Sequence, residues 1–295
     1  MSYEFDYGKD LCEISRREKI PISDIMLLYE IERSGRSKED ILEEMHSNLN
    51  VMRESIQNGL DETDAHHGMF TGGEAIKLMS FAKNSNMGEN MTAVIAAAMA
   101  VVEHNAAMGK IVAAPTAGAS GILPAVLIVC GEQRGFDDEE ICRGLFAAGA
   151  IGCVIAKNAS IAGAFGGCQA ETGSAAAMAA GALAELCGAD VETVLNAAAI
   201  ALKNIMGLVC DPVGGLVECP CVKRNGIGAA NAVLSCDMAL AGIRSLIPFD
   251  EVVEAMRNVG NQMHTDLKET ARGGLAATPT AKEMAQKLSK IEYLK

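Results

Sequence analysis

Tryptophan is absent from this 295-residue chain, and aromatic residues make up only 4% of it. Without large rings, a core must be filled by small side chains on closely approaching backbones, which favours helices over a β-sandwich. Basic residues are too few to balance the acidic ones, 25 against 38, and the net charge of −13 repels phosphate backbones and anionic lipid. Nucleic acid and membrane surfaces are therefore excluded as partners. No uninterrupted apolar run is long enough for a spanning helix, since the longest uncharged stretch, 112–130, is broken by Pro115, Gly118, Gly121 and Pro124. The opening MSYEFDYGKD has no apolar signal core. The chain is thus expected in the cytoplasm, with its cysteines reduced. Nucleotide motifs are missing as well: Gly226-Ile-Gly228 runs on to Asn231 where a dinucleotide loop wants glycine, Gly109-Lys110 lacks the hydroxyl residue of a phosphate loop, and no HExxH occurs.

What the chain has is alanine, glycine and methionine. Long apolar segments at 91–108, 123–130, 141–156, 172–187, 191–206 and 228–246 read as helices, several of them apolar all round as buried helices are. Glycine-bearing loops at 66–73, 109–121, 161–173, 209–228 and 270–280 separate them. The fold class is all-α, with a short strand or hairpin allowed near 208–223. Residues 1–62 carry much of the charge and form an amphipathic helical region that can lie on a partner. Within it Ser23 and Ser37 look like N-caps, the second with Asp40 as a capping box, and Ile41, Met45, Leu49 and Met52 recur at helical spacing. Residues 63–295 form the helical catalytic domain.

Ten cysteines sort by context. Cys130, Cys142, Cys153, Cys187 and Cys236 each replace an alanine-like residue in an apolar run, where a thiol acts as a small hydrophobe. Cys12 carries no signal. Cys168, Cys210, Cys219 and Cys221 fall in glycine- or proline-marked loops that can aim several sulfurs at one point. Their spacing matches neither a ferredoxin run nor a zinc ribbon, so metal binding and simple burial both stay open.

The segments MGKIVAAPTAGASGILPAV (108–126), KNASIAGAFGGCQAETGSAAAMAAGALAEL (157–186), GLVCDPVGGLVECPCVKRN (207–225) and ETARGGLAATPT (269–280) resemble the α subunit of the iron–sulfur-dependent L-serine dehydratase family, over about residues 60–285. The resemblance implies a [4Fe–4S] cluster ligated by Cys168, Cys210 and Cys221, its fourth iron left for L-serine. Cys219 stands where the family more often has an aliphatic residue and is treated as a neighbour. The resemblance also implies a separate β subunit with an ACT-like fold, whose serine/histidine-rich loop completes the active site. Single-chain relatives end in a cysteine that folds onto the cluster, whereas this chain ends KIEYLK. The fourth iron is thus expected to face water, substrate or partner.

Dehydration of serine removes a weakly acidic α-proton and expels hydroxide, so it needs a base on one side and an electrophile on the other. Lys110, in an otherwise uncharged stretch, is a candidate base if partial burial lowers its pKa. His67, in an HHG turn beside His66, is a second acid–base candidate, and His104 lies near the predicted core. Thr116, Ser120 and the backbone N–H groups of PTAGASG offer a nest for the substrate carboxylate. Glu171 suits the substrate amine or else caps the helix starting near Thr172. Lys223, Arg224 and Asn225 follow Cys221 and bring positive charge beside a cluster or carboxylate, or form an interface salt bridge. Three alternatives remain at this stage: an iron–sulfur L-cysteine desulfidase, a non-catalytic iron–sulfur redox sensor with four cysteine ligands, and a zinc site.

Overall fold

The computed structural model describes residues 2–61 and 68–292, and these are helical with no strand among them. Three helices lead, α1 (Gly8–Glu18), α2 (Ile22–Ser34) and α3 (Lys38–Gly59). A short α4 (Glu74–Ser80) precedes α5 (Gly88–Ala106). Next, α6 (Ile122–Pro124) passes through a π turn at Ala125–Val129 into α7 (Cys130–Arg134). The remainder are α8 (Asp138–Asn158), the single turn α9 (Gly163–Gly166), α10 (Ser174–Leu186), α11 (Val191–Asn204), α12 (Cys221–Leu240), α13 (Phe249–Gln262) and α14 (Pro279–Glu292).

Helix α10, SAAAMAAGALAEL, is the axis of the molecule. Alanine is the best helix former and has no side-chain entropy to lose. Every residue from Ser174 to Ala184 is buried, and the helix packs against α8, α11 and α12. Helix α5 lies on the far side of α12. Small residues are what let the layers close: a Cβ on Gly121 would stand 2.0 Å from the carbonyl oxygen of Ala98, so the loop entering α6 rests directly on the α5 backbone.

The leading helices lie on this same core. Leu11, Ile14, Ile22, Ile25, Leu49, Met52 and Ile56 are buried in one apolar cluster with the alanines of α10 and α11. The register expected for α3 is observed, with Ser37 accepting from the Asp40 N–H at its start. Ser23 differs from expectation. It sits inside the first turn of α2, and Glu185 of α10 accepts from the N–H groups of Ile22 and Ser23 in its place. Glu103, on α5, likewise accepts from the N–H groups of Glu74 and Ala75 at the start of α4, and Asp250 from those of Gly8 and Lys9 at the start of α1. Such carboxylates satisfy the orphan donors of a helix start and complement its dipole.

Helix α12 begins at Cys221, seven residues before the expected 228, so KRNGIG is helical. The hairpin expected near 208–223 is reduced to one isolated parallel bridge, Cys210 with Lys268. Among the described residues no helix is long and apolar enough to cross a membrane.

Candidate active site

Four chain segments meet where α10 and α12 begin. Cys168 precedes a π turn, Gln169–Gly173, that leads into α10 and carries Glu171. Gln169 is fully buried and fastens this turn: its Nε2 donates to the carbonyls of Gly166 and Met256, and its Oε1 accepts from the Gly207 N–H. The Gln169 N–H in turn donates to the Leu208 carbonyl at 2.9 Å, drawing the Cys210 loop alongside. Cys210 is pinned on both sides of its backbone, its N–H donating to Leu267 and its carbonyl accepting from Glu269. Cys221 opens α12, and Asn225, one turn on, is fully buried. Asn225 accepts from the Gly121 N–H at 3.0 Å and donates to the carbonyls of Gly118 at 2.7 Å and Cys221 at 2.9 Å. It thereby locks the PTAGASG loop to the thiol-bearing end of α12.

Within this frame Thr116 Oγ1 donates to Glu171 Oε1 at 2.8 Å, and the Cys210 thiol donates to Glu171 Oε2 at 3.8 Å. Cys168 Sγ lies 3.1 Å from Thr172 Oγ1. Arg224 is held by the Val209 carbonyl at 2.7 Å and by the buried Asp211, 2.9 Å away. Asp211 Oδ2 also accepts from the Leu275 N–H, bringing in the 270–280 loop. Gly163, in α9, borders the pocket between Cys210 and Glu171: a Cβ there would lie 2.7 Å from Glu171 Oε2 and 3.0 Å from Cys210 Sγ.

The electrostatics bind the thiols together. Burial raises the Cys168 pKa, against hydrogen bonding from Thr172 and the positive charge of Arg224. Cys221 is pushed up to about 12, first by burial and then by the charges of Cys168 and Glu171. Cys210 is raised further by burial, then by Glu171, Cys168, Glu269 and Cys221. Glu171 itself is raised by burial, with the Thr116 hydrogen bond opposing. Cys210 thus feels both other thiols and Cys221 feels Cys168, and a cation placed among them would oppose these shifts.

The buried thiols of Cys168 and Cys210 and the partly buried thiol of Cys221 at the start of α12 are soft donors that fit an iron–sulfur cluster, whose irons each take a separate thiolate. Among the described residues no three His, Cys, Asp or Glu side chains gather closely enough to hold one metal ion.

The structure unites Cys168, Cys210, Cys221, Thr116, Glu171 and Arg224 at one place. Ser120 is near but buried, with its hydroxyl donating to the Ala117 carbonyl as a turn cap. Lys110 is exposed, so the burial that was to make it a base is not found. Lys223 forms a salt bridge with Glu74 at 2.6 Å. His104 is buried on α5. His66 and His67 lie outside the described residues. Gly68 follows them directly, and Glu218, near the start of α12, accepts from the N–H groups of Met69, Phe70 and Thr71. Sequence reasoning missed Gln169, Asp211 and Glu218, whose polar side chains in uncharged loops were the available signal.

The family described as serine dehydratase alpha chain matches residues 17–276. The chain is 50% identical over 282 residues to the probable L-serine dehydratase, alpha chain, of Bacillus subtilis (strain 168), covering 95% of this chain and 94% of that protein. It is 44% identical over 279 residues to the L-serine dehydratase, alpha chain, of Peptoniphilus asaccharolyticus, with 94% and 96% covered. An L-serine dehydratase of Streptomyces coelicolor is 42% identical over 287 residues, which span 94% of this chain and 61% of that longer protein. With its family segments meeting at this one site, the chain belongs to the serine dehydratase alpha chain family.

Proposed function

We propose that the chain is the catalytic α subunit of an L-serine dehydratase, a lyase converting L-serine to pyruvate and ammonia. The convergence of the thiols of Cys168, Cys210 and Cys221 on Glu171, Thr116 and Arg224, within a family of that activity, carries the reading. Cys168, Cys210 and Cys221 would hold a [4Fe–4S] cluster. When bound, such a cluster supplies a Lewis-acidic iron that weakens the C–O bond of the β-hydroxyl.

The chain's own residues bind and orient the substrate. Glu171, aligned by Thr116, receives the ammonium, and the backbone N–H groups of Ala117 and Gly118, at the start of the loop, receive the carboxylate. Asp211 holds Arg224 in place at the thiols, so that its charge offsets theirs without drifting into solvent. Burial around Gln169 and Asn225 keeps bulk water from the pocket. The α-proton goes to His67, a reading supported by the anchoring of residues 69–71 on Glu218 next to Cys221. Loss of water leaves 2-aminoacrylate, which tautomerises and hydrolyses to pyruvate and ammonia. No pyridoxal phosphate is required.

A separate β chain completes the enzyme, as the alpha-chain names of the B. subtilis and P. asaccharolyticus proteins imply and the greater length of the S. coelicolor protein supports. The described cysteines are all free, which suits a reducing cytoplasm.

The test is anaerobic reconstitution with iron and sulfide, followed by spectroscopy and pyruvate release with L-serine and with L-cysteine, with and without the β chain. A brown chromophore perturbed by L-serine, with pyruvate formed and activity lost in air, is expected. Preference for L-cysteine overturns the substrate, and a four-cysteine cluster indifferent to serine overturns catalysis.

A further inference from the structure

The segment between α12 and α13 turns apolar side chains out to solvent and fixes them there. Ile243 and Ile247 are exposed, and Leu246 between them is 91% exposed. Leu246 also has a φ of +66°, a left-handed conformation that a leucine adopts only where its surroundings impose it. They do impose it. The Ser245 N–H donates to Asn196 Oδ1 at 2.5 Å, Asn196 Nδ2 donates to the Ile243 carbonyl at 2.7 Å, and Lys203 Nζ donates to the Ser245 carbonyl at 2.7 Å. The Ser245 hydroxyl closes the turn on the Ile247 carbonyl, also at 2.7 Å. Asn196 and Lys203 both belong to α11, so the segment is a platform fastened to that helix.

Beside this projecting leucine lies a hollow of about 780 Å³, bounded by α1, α11 and the same segment. Its apolar lining includes the buried Leu195, Ala199, Ala239 and Phe249. We infer that this face is an interface between two copies of the chain, related by a two-fold axis, with Leu246 of each copy entering the hollow of the other.

Two features single out a second copy as the occupant. A two-fold contact uses the same patch on both sides, so that patch must carry both the projection and the hollow that receives it, as this one does. The charge also fits. The chain has a net charge of −13, yet the hollow is lined by Lys9, Arg16 and Arg244 against Glu13, Asp190, Glu192 and Asp250, which is near balance. Two copies therefore meet here with little net repulsion, whereas a partner of one sign finds no complement. Asp190 caps α11, Asp250 caps α1, and Arg16 pairs with Glu192 at 2.6 Å. Glu13 and Arg244 have no ion pair among the described residues, and the two-fold brings Arg244 of each copy toward Glu13 of the other. Cys221 opens α12 and the platform follows its far end, so the full helix, roughly 30 Å, separates this face from the thiols. The contact leaves the site open and does not depend on what is bound there.

Sedimentation equilibrium of the full chain over a range of concentrations reads the association directly. Expected is twice the mass of one chain. L246E should weaken the dimer at least tenfold. L246G, which suits the left-handed backbone and removes only the side chain, should weaken it as well, each variant keeping wild-type helicity by circular dichroism. M108E is the control, since Met108 is as exposed as Leu246 but lies in the loop before Lys110, and it should leave the dimer intact. A wild type that stays monomeric at every concentration, a dimer indifferent to both Leu246 variants, or one broken by M108E instead would each overturn the inference. Loss of β-chain binding in the Leu246 variants, with the dimer kept, would overturn it too and give this face to that partner.

Discussion

Replacing Gly163 by alanine probes the pocket with a single methyl group. The added Cβ would lie 2.7 Å from Glu171 Oε2 and 3.0 Å from Cys210 Sγ. Ordinary contacts of this kind are about 3.5 Å, so the carboxylate must retreat by roughly 0.8 Å and the sulfur by roughly 0.5 Å. Neither is free to do so. Glu171 is tied by Thr116, and Cys210 is bonded through both its N–H and its carbonyl. Overpacking of this kind costs about 1–3 kcal/mol, equivalent to roughly a 5- to 150-fold loss of iron affinity or turnover. The backbone of Gly163 lies outside the left-handed region, so alanine adds no torsional strain there. The assay is iron per chain and pyruvate from L-serine after anaerobic reconstitution, beside the melting of the iron-free chain. G149A is the control: its Cβ would meet only Met26, at 3.8 Å. In the middle of α8 it should raise stability by about 1 kcal/mol, leaving iron and turnover unchanged. Full iron content and wild-type turnover in G163A would refute the role of this pocket.

Alanine at Cys168, Cys210 or Cys221 should abolish both chromophore and turnover, whereas C142A, in an apolar helix, should keep both; equal effects at all four sites would dissolve the distinction between the thiols. N225A strands the Gly121 N–H and the carbonyls of Gly118 and Cys221. It should cost about 2–4 kcal/mol, read as a lower urea midpoint, and N225D should not rescue it because it lacks the two donors. E218A releases the N–H groups of residues 69–71 and should lower turnover more than tenfold while the iron content holds; an equal fall in both would place Glu218 in cluster binding instead.

The helices were legible wherever the composition itself forbade anything else. In α10 the alanines face inward on every side, and the run announces a buried helix without any periodicity. Glycine and proline context marked four loop thiols, Cys168, Cys210, Cys219 and Cys221, and only the family resemblance reduced them to three candidate ligands. Their partners were harder to foresee. Besides one nearby carbonyl each, Asn225 and Gln169 work through backbone groups 38 to 107 positions away in sequence, and no local pattern encodes such a distance. Lys110 misled for a related reason: an uncharged neighbourhood in sequence was taken for burial in space, while the chain turns outward at Met108–Lys110. Ser23 misled because a hydroxyl before an apolar run is the usual cap, and a carboxylate from another helix had taken that place.

That substitution can be tested through its proton. Glu185 accepts from the Ile22 and Ser23 N–H groups at 2.8 and 3.0 Å, and its pKa is raised by burial, which outweighs those hydrogen bonds. A carboxyl whose folded pKa exceeds its unfolded value of about 4.3 binds its proton more tightly when folded. Its contribution to stability is complete below that unfolded value and is lost as pH rises through the folded pKa. E185Q keeps an acceptor at the start of α2 and removes the titration. Between pH 5 and pH 8 the stability of the wild type should therefore fall relative to E185Q, measured as the difference in urea midpoint at each pH. A difference that stays constant would mean that the hydrogen bonds from Ile22 and Ser23 fully offset the burial of Glu185, and would refute the raised pKa.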